Sequence, residues 1–147
     1  MKKIALLLFI CLFAANVFGQ QGHRGEKVKA LKIAFITEQL DLSSDEASQF
    51  WPIYNKYEEK INDIRKKERK EIIHVLRNNF ETITDAEANV LIDKSISFRE
   101  QQRTFETQMI NELRIAISPK KVIQLKRVED AFKRELLERF KEHRRKN

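Results

Sequence analysis

The chain has 147 residues, 29 of them Lys or Arg and 22 Asp or Glu, for a net charge of +7. Three Gly, two Pro and one Cys exclude a turn-rich β fold and a disulfide framework, and the length suits one domain of long regular elements.

Lys2 and Lys3 precede a nearly unbroken apolar run over residues 4–18, and small residues follow at Val17 and Gly19. This is the pattern of a secretory signal peptide cut after Gly19. At about 15 residues the run is short of the roughly 20 that span a bilayer, and an uncleaved anchor is the alternative. Cys11 lies in the middle of the run, whereas a lipidated cysteine would follow it at the cleavage point. The mature chain from Gln20 onward keeps 27 basic and 22 acidic residues and no cysteine, so it offers no thiol site. The expected location is the periplasm.

Apolar residues recur every three to four positions throughout, and sustained alternation is absent, so the expected fold is all-α with four helices. Residues 20–25 are polar and read as a disordered segment. A first helix over residues 26–40 gathers Val28, Leu31, Ala34, Phe35 and Leu40 near one face, widened by Ile33 and Ile36. Asp41 and Leu42 interrupt it. Ser43 with Glu46 then forms a capping box, the hydroxyl accepting a free N–H and the carboxylate reaching back to the cap N–H. The second helix extends to about residue 78 with Ala47, Phe50, Trp51, Tyr54, Tyr57, Ile61, Ile64, Ile72, Val75 and Leu76 as its stripe.

Thr84 and Glu87 form a second capping box. A third helix runs from there to about residue 117, with Ala88, Leu91, Ser95, Phe98, Gln102, Phe105, Met109, Leu113 and Ala116 at near-heptad spacing. Ser118-Pro119 is a third start signal, with Pro at the first helical position where a missing N–H costs nothing. The last helix carries Val122, Leu125, Val128, Phe132, Leu136 and Phe140, and a basic tail covers residues 141–147. A short connection near residue 81 between two helices of more than 30 residues predicts a long antiparallel hairpin, with Ile64 near Phe98 and Tyr57 near Phe105. Residues 26–140 then form a single thin-cored helical domain, part of whose stripes must meet a partner, a second copy or water; a homodimer is one such outcome.

Pro52 lies well inside the second helix. There it removes the bond to the Ser48 carbonyl and crowds that turn, a cost of roughly 3 kcal/mol in a helix interior. Either the helix kinks over residues 48–51, or a short turn precedes a helix that starts at Pro52.

No set of groups in the sequence forms a catalytic pattern: there is no nucleophile motif and no Gly-rich phosphate loop, so the protein is expected not to be an enzyme and to need no cofactor. The carboxylates alternate with Lys and Arg, as on solvated helices. His23, His74 and His143 are far apart, with no pair at a ligand spacing, and Met109 falls in the apolar stripe. The strongest charged feature is Arg65-Lys66-Lys67-Glu68-Arg69-Lys70-Glu71, where the apolar stripe vanishes for about two turns. It is either a solvated helix middle or a basic surface for an acidic or unfolded partner, which Lys56, Lys60, Arg99 and Arg103 would extend. The basic residues Arg139, Lys141, Arg144, Arg145 and Lys146 complement a helix C-terminus and could touch anionic membrane. Nucleic acid would suit the charge, but an exported chain meets little of it.

Leu42-Ser43-Ser44-Asp45-Glu46 and Ile117-Ser118-Pro119-Lys120-Lys121 resemble two degenerate copies of the L-T-x-x-Q motif of the Spy/CpxP family of envelope proteins. Heavy-metal-responsive relatives such as CnrR belong to the same group. Both copies depart from the motif: Ser stands for Thr, and Glu46 and Lys121 stand where Gln would be. Lys121 cannot accept a cap N–H. The Phe50-Trp51-Pro52-Ile53-Tyr54 run resembles a subgroup described as sensors of ECF-type sigma factors. The resemblance implies a bent, cradle-like helical hairpin and a non-catalytic envelope-stress role. It implies either ATP-independent binding of unfolded or partly folded envelope proteins, or sensing through a membrane signalling partner; a heavy-metal sensor is the alternative. Phe50, Trp51, Tyr54 and Phe105, with the basic residues Arg65, Lys66, Lys67, Arg69 and Lys70, are the candidate partner surface, and each aromatic has core packing as its other reading.

Overall fold

The computed structural model describes residues 20–146, so residues 1–19, where a signal peptide is expected, lie outside the described region. Every element in the described region is helical. Helix α1 covers Gln20–Gln39, α2 Ser44–Glu68, α3 His74–Asn79, α4 Asp85–Ala116 and α5 Pro119–Lys146. A π-helical turn, Arg69–Ile73, joins α2 to α3, and a 3-10 turn, Phe80–Thr82, follows α3. The four helical segments of the sequence reading are thus present, the second one interrupted.

The segment expected to be disordered, residues 20–25, is helical, and so is the basic tail as far as Lys146. Helix α1 begins at Gln20 rather than near residue 26, and α5 continues through the basic residues to Lys146. Lys and Arg are good helix formers and are favoured at a helix C-terminus, which accounts for the second extension. Asp41 ends the first helical stretch with φ 48, a left-handed conformation that Asp tolerates better than most residues.

The chain divides into two compact units. One comprises residues 42–127: α2, the π turn, α3, α4 and the start of α5. Its seam is dry in places and polar in others. Ile64, Ile72 and Phe98 form a buried cluster with Leu91 and Phe105 packed on it, and Met109 and Leu113 are buried further along α4. The seam's polar ties climb one helix as they descend the other. Lys56 and Tyr57 meet Glu112, Glu68 meets Gln102, and Glu71 meets Lys94. Ile64 and Phe98 share the buried cluster, but the Glu68–Gln102 tie sets Phe98 level with Ile72, and Tyr57 faces Glu112, so the register lies about two turns beyond the expected Ile64–Phe98 and Tyr57–Phe105 pairing.

The π turn explains how the stripe survives its polar interruption. Eight α-helical residues at about 100° each would leave Ile72 about 80° off the Ile64 face. A π turn absorbs one residue and returns Ile72 to the seam, where it is buried. Helix α2 also runs unbroken through Pro52, which excludes a helix starting at that proline.

The other unit comprises residues 20–41 and 128–146 of the described chain. Phe35 and Phe132 pack there with ring centroids 5.6 Å apart and planes tilted by 50°, and Ile36, Leu40, Val128 and Phe132 are buried. A groove of about 320 Å³ runs beside the two rings, lined by Leu31, Ala34, Leu136 and the charged Glu38, Glu135 and Arg139.

Candidate interaction surface

The two motif copies lie side by side. In the first, Ser43 Oγ accepts the Glu46 N–H and Glu46 Oε2 accepts the Ser43 N–H at 2.9 Å, a complete capping box. In the second, Ser118 Oγ accepts the Lys121 N–H at 3.4 Å, but Lys121 has no oxygen to return. Its Nζ instead donates to Glu46 Oε2 at 2.6 Å. The Lys121 ammonium holds the Glu46 carboxyl below the usual carboxylate range, with the Ser43 N–H adding to it. Of the remaining motif residues, Ile117 is buried, Leu42 is half-buried and Pro119 is exposed at the first position of α5.

Beyond the caps, α2 carries an aromatic cluster. Phe50 and Tyr54 stack at 5.3 Å, and Trp51 sets its edge against both. Phe50 and Tyr54 are 0% and 1% exposed, so both are core and neither offers surface to a partner. The bulk of an aromatic ring favours burial when a helix face is available for it. Trp51 and Phe105 are half-buried. The Lys60 ammonium lies over Phe105, 5.2 Å from the ring centroid.

Next on the seam is a charged clasp. Lys56 Nζ lies 2.7 Å from Glu112 Oε2, and the Tyr57 hydroxyl donates to Oε1. The Lys56 ammonium, with the Tyr57 hydroxyl behind it, holds the Glu112 carboxyl low. The Glu112 hydrogen bond in turn raises the Lys56 ammonium and the Tyr57 hydroxyl. At the start of α4, the Thr84 backbone N–H holds Glu87 low.

The basic run is exposed at Arg65, Lys66, Lys67, Arg69 and Lys70. Lys66 pairs with Asp63 at 3.0 Å on its own helix, and Arg65 reaches Asn62 at 3.5 Å. Arg69, Arg99 and Arg103 have no ion pair among the described residues. Lys56 and Lys60 are committed to Glu112 and to the Tyr57 and Phe105 rings, and so do not extend this run.

A second row emerges that the seam stripe had obscured. Arg65, Arg69, Ile73 and Leu76 each follow directly after a seam residue, Ile64, Glu68, Ile72 or Val75. Ile92, Ile96, Arg99 and Arg103 each follow Leu91, Ser95, Phe98 or Gln102 on α4. Every one of the eight is thus rotated by about the same 100° from the seam. Because the seam partners run in opposite directions, equal rotations bring both rows to one side. All eight are exposed, Ile73 at 46%, Ile92 at 55% and Ile96 at 49%, and Phe80 at the connecting turn is 68% exposed. This side therefore carries four arginines and then four apolar residues, Ile73, Leu76, Ile92 and Ile96, with Phe80 exposed on the connecting turn beyond them. The signal was in the sequence: Ile73, Ile92 and Ile96 are apolar residues that no core stripe accommodates.

Among the described residues no group of three or more His, Cys, Asp or Glu could hold a metal ion. The His74 ring lies 3.2 Å from the Asn78 amide, and the His23 side chain falls outside the described region. No described helix is long and apolar enough to cross a membrane.

No protein-family model matches the chain, and neither a curated protein nor a solved structure matches it.

Proposed function

We propose that the protein is a non-catalytic envelope protein of the Spy/CpxP type, a helical hairpin bent at Pro52 that holds partly folded client proteins without ATP. The observation that carries this reading is the exposed face of residues 65–103, where arginines without ion pairs adjoin an apolar zone. Exposed apolar patches of this kind mark interaction sites in soluble proteins. Charge of one sign speeds encounter with acidic partners, and the apolar residues then hold exposed hydrophobic segments.

Release needs no nucleotide under this reading, since affinity built from a few apolar contacts and screened charges is modest and reversible. The leader would place the protein where unfolded envelope proteins pass. The motif copies serve as the structural base: two helix starts clamped by Glu46 and Lys121.

The test is light scattering of an aggregating, unrelated client with the purified protein and no ATP. Suppression at near-equal ratios, weakened by salt, is the expected result. Absence of suppression at large excess would overturn the proposal and leave binding to one dedicated membrane signalling partner as the better account.

A further inference from the structure

The face described above is zoned rather than mixed, and the zoning defines what fits it. Arg65 and Arg69 on one helix, with Arg99 and Arg103 on the other, occupy its inner part. Toward the connecting turn the positions of this row are apolar, Ile73 and Leu76 on one helix and Ile92 and Ile96 across the seam, with Phe80 exposed on the turn. The other exposed residues of the stretch, His74, Arg77, Asn78 and Asn79, are polar and do not belong to the row. At 1.5 Å per residue the apolar zone is about 10 Å long and the arginine zone about 6 Å. Glu68, the acidic residue on the seam beside the arginines, is bonded to Gln102 at 3.2 Å, so it does not neutralise them by pairing.

Resting on the client-binding proposal, we infer that this face selects segments in which apolar and acidic residues are grouped into separate blocks. The preferred ligand is a short apolar run and a run of acidic residues separated by a gap, in either chain direction. Arg forks bind carboxylates in two-point fashion, and the apolar run lies on the Ile73, Phe80 and Ile92 end. The centres of the two zones are about 14 Å apart along the helix. An extended peptide rises about 3.3 Å per residue, so the apolar and acidic blocks are spaced by about four residues. Mixing the same residues evenly along the peptide destroys the match, and replacing the acids by Lys adds repulsion.

The experiment uses the purified protein and three fluorescent peptides of equal length: a blocked apolar–acidic peptide, an interleaved isomer, and a blocked apolar–Lys peptide. Anisotropy should give affinity for the first about tenfold or more above the other two. Arg69→Glu with Arg99→Glu should reverse the preference between acidic and Lys peptides while the melting temperature stays unchanged. Equal binding of all three peptides overturns the inference, as does an unaltered preference in the double variant. A protein that suppresses aggregation yet does not discriminate among the peptides retains the proposed function and loses this inference. Binding to phosphatidylglycerol vesicles that the double variant abolishes, without discrimination among peptides, also overturns it and assigns the face to an anionic membrane.

Discussion

Glu46 and Lys121 stand at the same place in two similar segments 75 residues apart, and they meet, Nζ to Oε2, at 2.6 Å. Each departs from the glutamine of the resembled motif, and the two departures are opposite in charge. The pair sits mostly out of solvent, with side chains 25% and 22% exposed. One carboxylate thus caps α2 and ties the start of α5 to it.

This geometry predicts a compensating charge swap. Glu46→Lys removes the first capping box and sets two ammonium groups together. Lys121→Glu sets two carboxylates together. Each single variant should lower the melting temperature by several degrees. The double swap restores the pair and gives Ser118 a glutamate three residues on, completing a capping box at α5. It should melt well above the sum of the single effects. A thermal double-mutant cycle measures this, and additive losses would contradict it.

Acid should weaken the fold through three named carboxylates. Glu46, Glu87 and Glu112 all have pKa values lowered from 4.5. In acid the unfolded chain takes up these protons first. Their stabilisation is therefore complete above the ordinary carboxylate range and is lost as pH falls through the lowered values. Tyr57 and Lys56 are raised from 10.0 and 10.5, so their contribution holds below about those values and is lost as pH rises beyond them. Urea midpoints from pH 7 down to pH 3 should fall for the parent protein. They should fall less for Glu112→Gln, which has already lost the clasp to Lys56 and Tyr57.

The π turn makes an unusual deletion harmless. Removing Lys70 lets Arg69–Ile73 relax to an α-helix while Ile64 and Ile72 stay on one face. Circular dichroism and melting of that variant should match the parent closely. Removing Glu59 instead, within regular helix, rotates the seam residues before it away from α4 by about 100° and should unfold the unit.

Pro52 costs α2 a backbone hydrogen bond to Ser48, whose side chain meanwhile donates to the Asp45 carbonyl at 2.7 Å. Pro52→Ala should stabilise the protein, by up to about 3 kcal/mol if the helix accepts the new bond without rearranging. A lower urea midpoint would show that the proline fits a geometry the alanine does not reproduce.

Much of this was legible from spacing alone. Both capping boxes form as the Ser43-to-Glu46 and Thr84-to-Glu87 intervals require, and every residue of the α4 stripe is buried or half-buried. The contact register was not legible, because the α4 stripe repeats at about seven residues, and sliding one helix by a heptad against the other buries the same faces. Nor was the burial of Phe50 and Tyr54, since an aromatic on a helix face reads alike as core or as contact surface. The Glu46–Lys121 pair was half visible: both departures from the motif could be seen, but only the tertiary structure brings them together.

Core and surface should separate cleanly by mutation. Phe98→Ala empties a buried cluster shared with Ile64 and Ile72 and should cost about 3 to 5 kcal/mol. Phe80→Ser, on the exposed turn, should leave stability within about 0.5 kcal/mol. Urea unfolding of the two variants provides the comparison.

The most direct measurement compares the parent with the triple variant Phe80→Ser, Ile92→Ser and Ile96→Ser in ATP-free suppression of client aggregation, both at matched thermal stability. The account predicts that the parent suppresses and the folded triple variant does not. Equal suppression by both proteins would show that this face does not hold the client.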